Sequence, residues 1–350
     1  MHNILVVNPG STTTKIALFA DETPVSGDVF RHDAAALRPC AKLWDQLELR
    51  WQAVSGWTSL HVREVSAVAA TGGLLRPVEG GTYAVNERML ADARANLQGQ
   101  HASNLGCALA QRLAAGYGCP AYVVDPVSVD ELEPLARYSG HPLIRRRSLS
   151  HAISIHATAR RAAAELGVPL NTSSLIVAHL GGGISVAPVR GGRIIDVNDA
   201  SSDGPFSPER TGGLPLQPFI DLSFSGSYSE AQMRTFVMGG GGLLAYLGTN
   251  SALEVEQRIH SGDDAAREVY EAMAYQIAKE IGAMATVVAG RVDAVVITGG
   301  LAASTLLIRS IENRVRFLGP VLVFAGDDEM SALAQGALAV LRGEAQALEY

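Results

Sequence analysis

Three glycine turns, at residues 8–14, 181–184 and 298–302, bring together the residue types that hold phosphate. Each follows a short apolar run that reads as a buried strand, so backbone N–H groups stand at a strand end where an anion can meet them. The first turn adds the hydroxyls of Ser11, Thr12, Thr13 and Thr14, which can donate to phosphate or reach a metal-bound water, and then the charge of Lys15. Lys15, Lys42 and Lys279 are the only lysines among 28 basic side chains, which sets Lys15 apart. The turn is not a Walker A loop, and no G-x-G-x-x-G opens a helix here; the first two turns lead into strands instead. Taken singly, each turn is compatible with an ordinary hairpin. Three in duplicated order describe a nucleotide held by two related halves.

The elements that must position these turns repeat as well. Residues 65–74 read VSAVAATGGL and residues 292–301 read VDAVVITGGL, identical at V, A, V, T, G, G and L. Strand patterns at 4–7, 14–19 and 25–30 are matched by strand patterns at 175–180, 184–189 and 193–196. Both halves thus run strand, glycine turn, strand, turn, strand, and later deliver a strand ending in Thr-Gly-Gly, an internal duplication. Helical patterns fall at 103–116, 151–166, 263–289 and 329–342, and 321–325 is a further strand. In the longest helix Val269, Met273, Ile277, Ile281, Met284 and Val288 form one stripe at spacings of three and four, which reads as core. Residues 239–242, four consecutive glycines, read as a flexible turn.

The bulk composition narrows the field. At 350 residues the chain has room for two cored domains, and its 47% hydrophobic and 18% charged content is that of a soluble globular protein. A net charge of −7 argues against nucleic acid as a partner. The run Arg145, Arg146, Arg147 is a solvated surface or a buttress beside a site. No apolar stretch approaches the ~20 residues of a membrane span, and the N-terminus lacks a signal-peptide pattern. Cys40, Cys107 and Cys119 form no metal-type or redox-type pair, which fits a reducing cytoplasm.

With these residues in view, the chain resembles the butyrate kinase branch of the acetokinase family. The resemblance rests on ILVVNPGSTTTK, GGTYAVNE, HASNLG, AYVVDPVSVDELEP, RRRSLSHA, VAHLGGGIS, DGPFSPERTGGLPL and VITGGLA, in this order along nearly the whole chain. It implies an α/β fold of two duplicated ribonuclease-H-like domains, the actin-like ATPase fold, with a nucleotide cleft between them. It implies phosphoryl transfer between ATP/ADP and a short-chain carboxylic acid with Mg²⁺, in a homodimer or higher homo-oligomer. Acetate or propionate kinase is the nearest alternative, and a nucleotide-binding relative with weakened kinase activity is another.

Residue by residue, the resemblance places Asn8, Ser11, Thr13 and Lys15 in a phosphate and metal loop. His179, Gly181, Gly182 and Gly183 match a second phosphate loop, and Gly299 and Gly300 an adenosine-side turn. Asp125 and Arg210 match an acid and an arginine of the catalytic centre, with Asp125 either orienting Arg210 or anchoring metal-bound water. His151 matches a histidine near the transferring phosphoryl group, His101 is a substrate-side candidate, and Glu329 together with Asn8 matches the metal site. Each has a plainer alternative: a turn start for Asp125, a surface arginine, a core His179, a helix-face His151, a helix N-terminal acid for Glu329. Two positions depart from the family: Thr71 stands where close relatives carry arginine, with Arg76 as a substitute charge for the acceptor, and Ser150 stands where they carry phenylalanine. The expected domains are 1–150 with 330–350, and 151–329, with hinges near 140–150 and 326–330.

Overall fold

The computed structural model describes residues 1–33, 37, 40, 42–326 and 329–350. By packing, the chain divides into two units, Met1–Asp130 with Asp328–Tyr350, and Glu131–Asp327.

In the first unit a six-stranded sheet runs in the order β3-β2-β1-β4-β6-β5. Its strands are β1 Asn3–Pro9, β2 Thr13–Ala20, β3 Thr23–Arg31, β4 Ala67–Thr71, β5 Thr82–Ala84 and β6 Ala121–Val124. β1, β2 and β3 form an antiparallel meander, and β4 and β6 add in parallel on the other side of β1. Runs such as ILVV and AVAA are apolar at every position because helices cover both faces of these central strands. On one face Leu5, Val7, Val68 and Ala70 pack with Val54 and Trp57 of the helix Gln46–His61 and with Leu109 and Leu113 of the helix Gly106–Tyr117. The C-terminal helix Glu329–Leu341 packs on β1, β4 and β6 through its buried residues, which include Leu333, Ala337 and Leu338.

The second unit repeats the scheme. Its sheet order is β11-β10-β7-β8-β9, with β7 Ser174–Leu180, β8 Ile184–Arg190, β9 Arg193–Ile194, β10 Ala294–Gly299 and β11 Val321–Ala325. β7, β8 and β9 are the antiparallel meander; β10 and β11 add in parallel. Meander and parallel strands thus follow one order in both units, the duplication expected from the repeated phrase and the ribonuclease-H-like arrangement that the family resemblance implies. The helix Asp264–Val287 starts on the Asp263 side chain, which accepts from Ala266 N–H. Its predicted stripe is core: Met273, Ile277, Ile281 and Met284 are buried against Ile176, Val295 and Ile297. The helix Ala152–Leu166 packs on β7 and β10.

The first division falls earlier than the expected boundary at 150. Residues 131–150 pack with the second unit because Glu133 N–H donates to the Ile195 carbonyl at 2.9 Å and Arg146 donates to the Val197 carbonyl at 3.0 Å. The second expected hinge, 326–330, includes residues 327 and 328, which lie outside the described residues.

Candidate active site

The first two glycine turns occupy the same topological place, the hairpin between the first two strands of each meander. In the first unit Asn8 faces Lys15 and Pro9 faces Thr14 across the β1–β2 ladder, and Gly10 N–H closes the turn on the Thr13 carbonyl at 2.8 Å. Ser11 and Thr12 stand exposed at the tip. In the second unit Leu180 faces Ile184, and Gly181 N–H donates to the Gly183 carbonyl at 3.1 Å.

Around the second turn the structure gathers four of the predicted groups. Arg210 lies against Gly183 so closely that a Cβ there would stand 2.3 Å from Arg210 Nη1 and 2.8 Å from Cζ, so any larger residue must displace the guanidinium. His179, at the end of β7, stacks on His151 with ring centroids 4.1 Å apart and planes 16° from parallel. His151 precedes the helix Ala152–Leu166, and its Nδ1 is 2.9 Å from Ser185 Oγ, the residue opposite His179 on β8. Thr298 pairs with His179 from the other side, which sets Gly299 beside the same strand end. Two stacked imidazoles, a guanidinium and the Gly181–Gly183 turn therefore converge within one unit.

Arg210 is mostly buried, and burial pushes its pKa down while Glu209 and Asp199 push it up. A guanidinium keeps its proton regardless. Its Nη1 donates to the Ala200 carbonyl at 2.9 Å, and its buried Nε has no hydrogen-bond partner among the described residues. Arg147 holds Asp199 at 2.8 Å, so part of the arginine run is the buttress. Arg146 binds Asp196, likewise at 2.8 Å.

Residues 239–242 are not a flexible turn. Gly239 and Gly241 N–H both donate to the Glu209 carbonyl, at 2.9 and 3.1 Å, Leu243 N–H donates to Ser207, and Thr211 N–H to Val237. Gly242 has φ +59°, and a Cβ on it would lie 1.7 Å from the Ser207 carbonyl oxygen. The glycine run is a clamp that presses backbone on backbone and fixes the loop carrying Arg210. Four consecutive glycines are the sequence mark of such an approach.

In the first unit Asn8 Nδ2 donates to Glu329 Oε2 at 2.7 Å, so the two predicted metal residues meet although they lie at opposite ends of the chain. Asp125 follows β6 with φ 38°, a left-handed conformation costly for a residue with a Cβ. The turn is held by Gly81 N–H donating to Asp125 Oδ1 at 2.7 Å and Asp125 N–H donating to the Gly81 carbonyl at 2.9 Å. Ser11 and His101 line one cavity of about 320 Å³ with Lys42, Gln46 and Gln100. Thr71 ends β4, buried, its carbonyl covered by Gly106. Arg76 is committed elsewhere: its Nε donates to Asp92 at 2.7 Å and its Cζ lies 5.3 Å over the Tyr350 ring. Gly300, by contrast with Gly183, has open space where a Cβ would be.

The residues here fit a magnesium ion in kind. Mg²⁺ takes oxygen ligands and commonly binds through one or two carboxylates, with phosphate oxygens and water filling the rest. The amide and carboxylate of Asn8 and Glu329 supply that donor type, and no cluster of three or more His, Cys, Asp or Glu able to hold a metal occurs among the described residues.

Comparisons with known proteins bear on the family and the fold. The profile of the acetokinase family matches residues 134–346. The chain is 49% identical to a protein named probable butyrate kinase 2 of Caldanaerobacter subterraneus subsp. tengcongensis, over 98% of each chain. In structure it is similar to an acetate kinase of Porphyromonas gingivalis, with a TM-score of 0.79 at 18% identity, covering 97% of this chain and 100% of that one. It is also similar to a propionate kinase of Francisella tularensis subsp. tularensis, with a TM-score of 0.76 at 21% identity over 96% and 99% of the two chains. A profile match over more than half of the chain and a relative at 49% identity along almost all of it establish that this protein belongs to the acetokinase family.

Proposed function

We propose that the protein transfers the γ-phosphoryl group of ATP to the carboxylate of a short-chain fatty acid, butyrate or a branched analogue, reversibly. The observation that carries the reading is the convergence of Arg210, His151, His179 and Gly183 on one hairpin, in a member of this family. In the forward direction a carboxylate oxygen forms a bond to the γ-phosphorus while the bond from that phosphorus to the β,γ-bridging oxygen breaks, giving acyl phosphate and ADP. A carboxylic acid of pKa near ~4 is already ionised at neutral pH, so no general base is needed. What the protein supplies is relief of repulsion between two anions and stabilisation of charge on the equatorial oxygens.

Arg210, with its unsatisfied Nε, is the group for those oxygens, and an arginine in such a role contributes roughly 10³–10⁵ in rate in other phosphoryl-transfer enzymes. His151 and His179 donate hydrogen bonds to the same group, with Ser185 fixing the His151 ring. The amides of Gly182 and Gly183 hold phosphate oxygens on the turn that the Gly181 N–H closes, and Gly299 and Gly300 flank the adenosine. Asn8, Ser11, Thr13 and Lys15 serve phosphate and metal in the first unit, with Glu329 and Asn8 as the residues that would hold Mg²⁺. When bound, that ion neutralises phosphate charge. Asp125 anchors metal-bound water. Thr71 and His101 belong to the acceptor side; with Arg76 tied to Asp92, the acceptor charge is met by other groups.

No helix among the described residues is long and apolar enough to cross a membrane. Three free cysteines support a reducing, cytoplasmic setting, and a homodimer or higher homo-oligomer completes the reading. The test is acyl phosphate trapped with hydroxylamine after incubation with Mg-ATP and acetate, propionate, butyrate or isobutyrate. Hydroxamate is expected to be greatest with a four-carbon acid; ATP binding without hydroxamate from any acid would overturn the reading.

A further inference from the structure

Arg50 is among the largest fully buried side chains of the described residues, and no part of the family motifs contains it. It sits on the inward face of the helix Gln46–His61, one turn before Val54 and two before Trp57, where an amphipathic helix ordinarily carries an apolar residue. Burying a guanidinium is unfavourable unless its donors are satisfied. Here they are satisfied by the phosphate loop. Nη1 donates to the Thr13 carbonyl at 2.8 Å and to Thr14 Oγ1 at 2.9 Å, and Nη2 donates to the Ser11 carbonyl at 3.2 Å. Gln46 Oε1 takes the remaining bonds, from Nε at 3.3 Å and from Nη2 at 3.0 Å. Every one of these acceptors is neutral, so the arginine brings a positive charge to the back of the loop and no carboxylate among these partners cancels it.

The bonds continue one residue further. Thr14 Oγ1 accepts from Arg50 and lies 2.9 Å from His32 Nε2, within hydrogen-bond distance. Burial first and Arg50 second push the His32 pKa down, which disfavours a second positive charge there. His32 N–H also donates to the Thr12 carbonyl at 2.8 Å. The loop is therefore gripped from behind through the carbonyls of residues 11, 12 and 13 and the Thr14 hydroxyl. With those carbonyls drawn inward, the tip keeps its outward groups for a ligand, and Ser11 and Thr12 are exposed.

We propose that Arg50 is a positioning residue for phosphate binding: it holds the turn at residues 11–14 in the anion-binding shape and adds its buried charge behind it. This rests on the reading of that turn as a phosphate site. The role predicts an effect specific to phosphate. In full-length protein with Mg²⁺ present, Arg50→Met should weaken ATP binding in calorimetry by about tenfold and lower kcat by about tenfold, as for loss of charge-assisted hydrogen bonds. Adenosine affinity should stay within about twofold, because adenosine carries no phosphate. Arg50→Lys, which keeps the charge and loses the fork, should fall between.

Equal weakening of ATP and adenosine, or a folded Arg50→Met with unchanged ATP affinity and kcat, would overturn the proposal in favour of simple filling. If Arg50→Met does not fold, Gln46→Leu removes only the tether. ATP affinity about two- to fivefold weaker, with adenosine unchanged, then supports the role, and an unchanged ATP affinity overturns it. Absence of acyl hydroxamate from the unmodified protein would instead defeat the reaction assigned above, while the comparison of ATP with adenosine would still decide the role of Arg50.

Discussion

Replacing Gly183 by alanine should disable catalysis while sparing the fold. The added methyl would stand 2.3 Å from Arg210 Nη1, 2.8 Å from Cζ and 3.3 Å from Nη2. Carbon and nitrogen atoms rest at about 3.5–4.0 Å, so the guanidinium must retreat by roughly 1 Å. It is the far end of a long side chain and can do so, but it leaves its bond to the Ala200 carbonyl, 2.9 Å in the native arrangement. Losing a hydrogen bond to a charged group costs about 1.5–3 kcal/mol. Gly183 lies outside the left-handed region, so alanine there recovers roughly 0.4–1 kcal/mol from the unfolded chain. The net loss of stability is about 1–2 kcal/mol, a melting shift of a few degrees. A misplacement of ~1 Å at a reacting centre costs up to about 10² in rate. Hydroxamate formation at saturating ATP should therefore fall about 10- to 100-fold, with KM for ATP within several-fold. A kcat within twofold of the unmodified protein would refute the claim that Arg210 must lie where Gly183 lets it lie.

Glu329→Gln keeps an oxygen near Asn8 and removes the charge, so the Mg²⁺ concentration for half-maximal activity should rise about tenfold and excess Mg²⁺ should restore much of the rate; an unchanged Mg²⁺ dependence would separate Glu329 from the metal. Gly242→Ala meets backbone at 1.7 Å with φ +59°, so neither a rotamer change nor a small shift relieves it; it should lower thermal stability and activity together, in contrast to Gly183→Ala. Asp203 has its pKa pushed up to about 6 by burial first and by Asp199 second, against an ordinary 3.8. Its contribution is favourable below 3.8, where both folded and unfolded chains hold the proton, and is lost as pH rises through 6. Two pKa units correspond to about 3 kcal/mol, and partial exposure reduces that to about 1–2 kcal/mol. Asp203→Asn should accordingly raise the melting temperature at pH 8 and leave it unchanged at pH 4; equal shifts at both would refute the cause assigned to the shift.

The architecture was legible because buried strands and glycine turns write themselves locally. The runs at 4–7 and 175–178 are apolar at every position, and each hairpin tip is marked by glycine, so the duplication and its two glycine hairpins followed from pattern alone. Asn8 and Glu329 came together as the family resemblance implied, although nothing in the spacing of two residues at opposite ends of a chain says so. Three features were not legible. The helix Gln46–His61 escaped because its buried face is Arg50, Val54, Trp57 and Thr58, polar at two of four positions, which erases the apolar period. The division after Asp130 carries no glycine or proline linker, only Glu131, whose buried carboxylate accepts from Ile194 N–H at 2.7 Å and belongs to the second unit. The glycine run at 239–242 was read as freedom, whereas backbone packed on backbone makes it a clamp.

Acyl hydroxamate measured side by side in the unmodified protein and in Arg210→Ala tests the central claim most directly. With Mg-ATP and butyrate, the unmodified protein should form hydroxamate and Arg210→Ala should lose at least about 10³ of that rate, since the arginine acts on charge in the transition state. Nucleotide affinity should stay within a few-fold. Retained turnover in Arg210→Ala would contradict the account and remove the arginine, with its glycine seat and its clamp, from the chemistry.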